Sequence, residues 1–178
     1  GPARDGGLDR LGGLLVEERG AGEAVGDGVD DLGHEAAPAD EEDGVQLMRE
    51  VPFLDGVIAH GVAQGAFGTK ERSVIHAANV PGIARAVDQQ FAIADQVLNA
   101  GLMPIVEPEV AIDAADKQQA EAILKAELRR HLDGLDDRKV TLKLTLPTAI
   151  GFYADLVAHP NVARVVAHAG PRADRATP

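Results

Sequence analysis

The stretch Val140-Thr-Leu-Lys-Leu-Thr-Leu146 decides the fold. Its residues alternate strictly between leucine and polar side chains, the period of a β-strand. Leu142, Leu144 and Leu146 are expected to face one way, and Thr141, Lys143 and Thr145 the other. Outward from it, residues 102–110 (Leu-Met-Pro-Ile-Val-Glu-Pro-Glu-Val) read as a second strand and residues 162–167 as a third. Residues 66–72 read as a further short strand or strand end. Between them lie helical patterns. Leu54, Val57, Ile58 and Val62 mark one helix. Ile83, Val87, Phe91, Ala94 and Leu98 mark a second, with Pro81 at its first turn and Gly101 as its stop. Ala120, Ile123, Leu124 and Leu128 stripe a third over residues 115–133, and a short helix is expected near residues 151–158. Strands alternating with helices mean an α/β fold around a parallel sheet.

The 178 residues carry a formal charge of −12 and no cysteine. The length suits one domain of ordinary size. Aromatic residues make up only 3%, so the core must be aliphatic. The acidic balance argues against a nucleic-acid partner, which needs clustered Lys and Arg. The absence of a long apolar run argues against a membrane span, and the start shows no secretory signal, so a cytoplasmic setting is expected. Without cysteine there is no disulfide, no thiolate metal site and no Cys nucleophile.

Residues 1–50 hold 14 acidic and 4 basic side chains, whereas residues 51–178 are nearly balanced. Eleven of the 20 glycines lie in residues 1–44, and no lysine precedes Lys70. Residues 1–42 therefore read as a flexible acidic, Gly-rich segment, residues 43–167 as the β/α portion and residues 168–178 as an irregular tail. The Gly-rich run at residues 20–26 is spaced wrongly for a dinucleotide-binding turn and follows no strand pattern. The six histidines, His34, His60, His76, His131, His159 and His168, show no metal-ligand spacing, and residues 65–70 lack the core of a phosphate loop.

The faces of the strands gather the charges. Glu107 and Glu109 share one face of their strand, as do Lys70 and Arg72 of theirs. If these strands are parallel neighbours of residues 140–146, two carboxylates and three cations converge on one surface. A desolvated Lys143 would be a neutral amine, a nucleophile for carbonyl carbon. Two other readings stay open on the residues alone: a solvated lysine on an exposed face, and a structural ion-pair network.

The strings DGVQLM (43–48), FGTKERSVI (67–75), MPIVEPEV (103–110), ILKAEL (123–128), VTLKLTLPT (140–148) and HPNVARVVA (159–167) resemble class I fructose-bisphosphate aldolase of the bacterial single-chain type. The resemblance runs from residue 43 to residue 167. It implies an eight-stranded TIM-type (β/α) barrel, of which this chain would hold roughly strands four to seven. It implies a lyase cleaving fructose 1,6-bisphosphate to dihydroxyacetone phosphate and glyceraldehyde 3-phosphate, without metal or other cofactor. Lys143 would be the Schiff-base lysine and Glu107 the proton acceptor. Glu109 would support them, and Lys70 and Arg72 would contact the sugar phosphate. The family's early-strand Asp and Lys motifs have no counterpart in residues 1–42, and its Leu-Ser-Gly-Gly loop is replaced by His168-Ala-Gly-Pro171. A fragment of impaired activity is therefore expected. A non-catalytic fragment and a lyase for a non-phosphorylated carbonyl substrate are the alternatives. An incomplete barrel would expose strand edges through which copies could self-associate.

Overall fold

The computed structural model describes the backbone of Leu14–Glu18 and residues 38–170. The Gly-rich run at residues 20–26, most of the acidic head and residues 171–178 lie outside the described residues. In chain order the elements are β1 (Leu14–Glu18), β2 (Val45–Gln46), α1 (Leu54–Ala63), β3 (Ala66–Ile75), α2 (Val80–Asn99), β4 (Met103–Val110), α3 (Lys117–Leu132), β5 (Val140–Thr145), α4 (Ala154–Val157) and β6 (Val162–His168).

The fold is α/β. Strands β3, β4, β5 and β6 run parallel in that order. Each step between them crosses through a helix, as parallel pairing demands. The sheet is open among the described residues. On the outer side of β3, β1 pairs antiparallel along residues 66–71 and β2 along residues 74–75. The sequence reading expected no strand at residues 14–18. Among the described residues β6 is the edge strand at one end of the sheet, and β1 and β2 stand at the other.

One face of the sheet packs on α2, α3 and α4. Its alternate residues Ile75, Val106, Val110, Val140, Leu142 and Leu144 form one core with Ile83, Val87, Phe91, Leu124, Leu128 and Leu156. Each such side chain contributes about 1.5–3 kcal/mol by leaving water. The expected stripes of the second and third helices therefore do face the sheet. Asn79 caps α2, its Oδ1 accepting the Gly82 N–H at 2.8 Å. Gly68 is required by close approach, because a Cβ there would lie 1.8 Å from the Met103 carbonyl oxygen on β4.

Two expectations need correction. The strand of residues 140–146 ends at Thr145, and Leu146 is 54% exposed rather than packed with Leu142 and Leu144. Pro147 follows and turns the chain, and the Leu146 N–H and carbonyl are taken by the His168 carbonyl and by Lys117 Nζ. His168, placed in the irregular tail by its sequence, is the last residue of β6. No helix among the described residues is long and apolar enough to cross a membrane.

Candidate active site

Strand register builds the site. Opposite Arg72 on β3 stands Glu107 on β4, and Val74 stands opposite Glu109. On β5 and β6, Thr141 stands opposite Arg164, Lys143 opposite Val166 and Thr145 opposite His168. Side chains of one parity share a face, so Lys70, Arg72, Glu107, Glu109, Lys143 and His168 lie together on the face away from the helices.

Glu107 is the centre. Its side chain is 1% exposed, yet it meets two ammonium groups: Lys143 Nζ lies 2.7 Å from Oε1 and Lys70 Nζ 3.5 Å from Oε2. Glu109 accepts from Arg72, whose Nε lies 2.7 Å from Oε2. Lys143 is half-buried, at 27% side-chain exposure. The exposed-face alternative for this lysine is thus excluded: its amine is held against a buried carboxylate. All five residues singled out from the sequence are brought together.

His168 was missed. Its Nε2 lies 3.8 Å from Glu107 Oε1 and 3.6 Å from Glu109 Oε1. The signal was present in the alternation of residues 162–168, since His168 has the parity of Arg164 and Val166. Glu107, Glu109 and His168 place ligand atoms within 4.8 Å of one another, the span of a metal site. Lys143, Lys70 and Arg72 already neutralise both carboxylates, however, so an added divalent cation would meet three like charges.

A second missed residue lies behind the site. Glu71, between Lys70 and Arg72, has the opposite parity and points toward the helices. It is fully buried, and burial pushes its carboxyl up to about 8, against the hydrogen bond from the Thr69 hydroxyl, with the Glu107 charge adding to the rise. Beside it Gln90 Nε2 donates to Ser73 Oγ at 2.6 Å, tying α2 to β3.

The loop after β5 is fastened from α3. Glu121, itself buried, accepts the Thr148 N–H at 3.1 Å on each oxygen and pairs with Lys117. Lys117 Nζ also donates to the Leu146 carbonyl at 2.8 Å. The end of the strand bearing Lys143 is thereby fixed.

Fold and site together define an α/β protein with a lysine amine held against a buried carboxylate. Over 130 residues the chain is 48% identical to a class 1 fructose-bisphosphate aldolase of Clostridium acetobutylicum, covering 72% of this chain and 44% of that protein. It is 49% identical over 133 residues to a class 1 fructose-bisphosphate aldolase of Synechocystis, covering 74% of this chain and 44% of that protein. No family model matches. The chain spans less than half the length of these curated relatives. The resemblance read from the motifs is borne out, and the chain matches part of a class I aldolase.

Proposed function

We propose that this chain is part of a class I fructose-bisphosphate aldolase and that Lys143 is its Schiff-base lysine. The observation that carries the reading is the 2.7 Å contact between Lys143 Nζ and the buried Glu107, in a chain whose relatives are named fructose-bisphosphate aldolases. Glu107 takes a proton from the lysine, and the freed amine attacks the carbonyl carbon of a sugar phosphate. The carbonyl oxygen leaves as water after protonation, giving an imine. The imine then takes up the electron pair as the bond between its α and β carbons breaks, leaving an enamine. Glu107, having returned its proton to the oxygen that leaves as water, is again a carboxylate and can accept the proton of the hydroxyl on the departing carbon.

Three side-chain cations, Lys70, Arg72 and Lys143, face two carboxylates. The surplus positive charge favours an anionic substrate, and Lys70 and Arg72 are placed to hold its oxygens. The chemistry asks for no metal or other cofactor. The four parallel strands correspond to a run of consecutive strands within a (β/α) barrel, and a cytoplasmic setting fits a sugar phosphate substrate.

Incubation with dihydroxyacetone phosphate and borohydride tests the assignment. Reduction traps the imine as a stable amine, and peptide mass mapping is expected to place the label on Lys143. Label confined to Lys117, Lys125 or Lys139 overturns it.

A further inference from the structure

His168 closes the charged face at its β6 end, and its ring is set by contacts on both sides. Nδ1 accepts the Gly170 N–H at 3.2 Å. A ring nitrogen that accepts carries no proton, so the neutral imidazole holds its proton on Nε2. That nitrogen is buried and has no hydrogen-bond partner among the described residues, a costly state for a donor. It is aimed at two carboxylates, 3.6 Å from Glu109 Oε1 and 3.8 Å from Glu107 Oε1. A shift of a few tenths of an ångström brings either oxygen within hydrogen-bond reach.

The turn that sets the tautomer is itself seated on the strand of Lys143. Gly170 has φ +84°, and a Cβ there would lie 2.6 Å from Thr145 Cγ2. Only glycine lets residue 170 sit so close to β5 with its N–H directed at the ring. On the carboxylate side the oxygens are already divided. Glu109 gives Oε2 to Arg72 and turns Oε1 toward His168. Glu107 gives Oε1 to Lys143 and turns Oε2 toward Lys70.

We propose that His168 is a positioning residue whose Nε2–H is shared by Glu107 and Glu109, coupling the Arg72/Glu109 pair to the Lys143/Glu107 pair. It acts through Glu107: it keeps Oε1 facing the lysine amine. The kinetic consequence rests on the Schiff-base reading of Lys143; the tautomer and its carboxylate partners do not.

Two measurements on the full chain test it separately. Long-range proton–nitrogen correlation spectra at pH 8 are expected to show the His168 ring protonated on Nε2, with signals that move in Glu109→Gln. A proton on Nδ1, or ring signals indifferent to that substitution, overturns the proposal whether or not the chain reacts with any carbonyl. The second measurement is the rate at which dihydroxyacetone phosphate and borohydride label Lys143. His168→Ala is expected to slow it about tenfold, the loss of one hydrogen bond to a charged group. His168→Gln, whose amide nitrogen reaches the place of Nε2, is expected to restore it to within about threefold. Labelling of His168→Ala at the unmodified rate, or of His168→Gln as slowly as His168→Ala, overturns the coupling. Failure of the unmodified chain to label Lys143 removes the Schiff-base reading alone, and the ring spectra then decide the proposal.

Discussion

Two glutamates on adjacent strands, Glu71 and Glu107, are buried to the same degree on opposite faces of one sheet. Glu107 looks away from the helices and meets two lysines. Glu71 looks into the aliphatic core behind and meets one hydroxyl. Burial alone penalises a charge by several kcal/mol, and only a close opposite charge offsets it. Behind the sheet no such charge lies beside it among the described residues, and Glu71 is pushed up to about 8. What distinguishes the charged face is its partners, not its depth. The same side chain at the same depth pairs with two lysines on one face and holds a proton on the other.

The largest effect expected from disturbing this contrast follows from Glu107→Gln. The amide keeps the volume and can still accept a hydrogen bond, but it cannot take a proton from Lys143. Borohydride-dependent labelling of Lys143 should fall by about 10²–10³, the usual cost of removing one preorganised charged group. Labelling within tenfold of the unmodified chain would show that another base serves the lysine, and Glu109 is then the group to replace.

Glu71→Gln should act on stability instead. The sign follows from the raised pKa. Between about 4.5, the ordinary value, and about 8 the folded state holds a proton that the unfolded state has released. Stability contributed by that proton is full below pH 4.5 and is lost as pH rises through 8. Glutamine never ionises, so the variant should gain on the parent as pH rises. The gain should be near zero at pH 5 and about 2–4 kcal/mol at pH 8.5. Urea unfolding of both proteins at the two pH values measures it. A difference that does not change with pH would mean that Glu71 ionises freely in the folded state.

Much of this was legible in the alternation of polar and apolar residues. Period-two spacing in residues 140–146 put Lys143 on the face away from the leucines, and the same parity gathered Glu107, Glu109, Lys70 and Arg72. Parity is a local property, and register only had to align it. The same rule, applied to Glu71 between Lys70 and Arg72, would have placed a carboxyl in the core; the charged string concealed it. The exposure of Leu146 was not readable, because a strand's end depends on where its hydrogen-bond partners stop, here His168 and Lys117. Nor was the pairing of Leu14–Glu18 with β3, which joins segments distant in the chain through backbone groups that carry no sequence pattern. The setting of the His168 ring depended on the turn to Gly170, just past the last motif at residues 159–167.

The smallest expected effect sharpens the contrast most. Thr69→Val removes the one side-chain donor that Glu71 has among the described residues and keeps the shape of the side chain. At pH 5 the Glu71 carboxyl is protonated, and the loss is one neutral hydrogen bond, about 1 kcal/mol. Above pH 8 the carboxylate is charged, and the donor was opposing its desolvation. The cost should then rise by about a further 1 kcal/mol. The pKa of Glu71 should move further up, since the hydroxyl favours the charged form. Combining Thr69→Val with Glu71→Gln isolates the pair, because the two side chains touch and their effects should not add. In the glutamine background the extra cost at high pH should vanish and only the pH-independent part remain. If the high-pH cost persists there, it arises from ions elsewhere, and the hydroxyl is not what moderates the buried carboxyl behind the site.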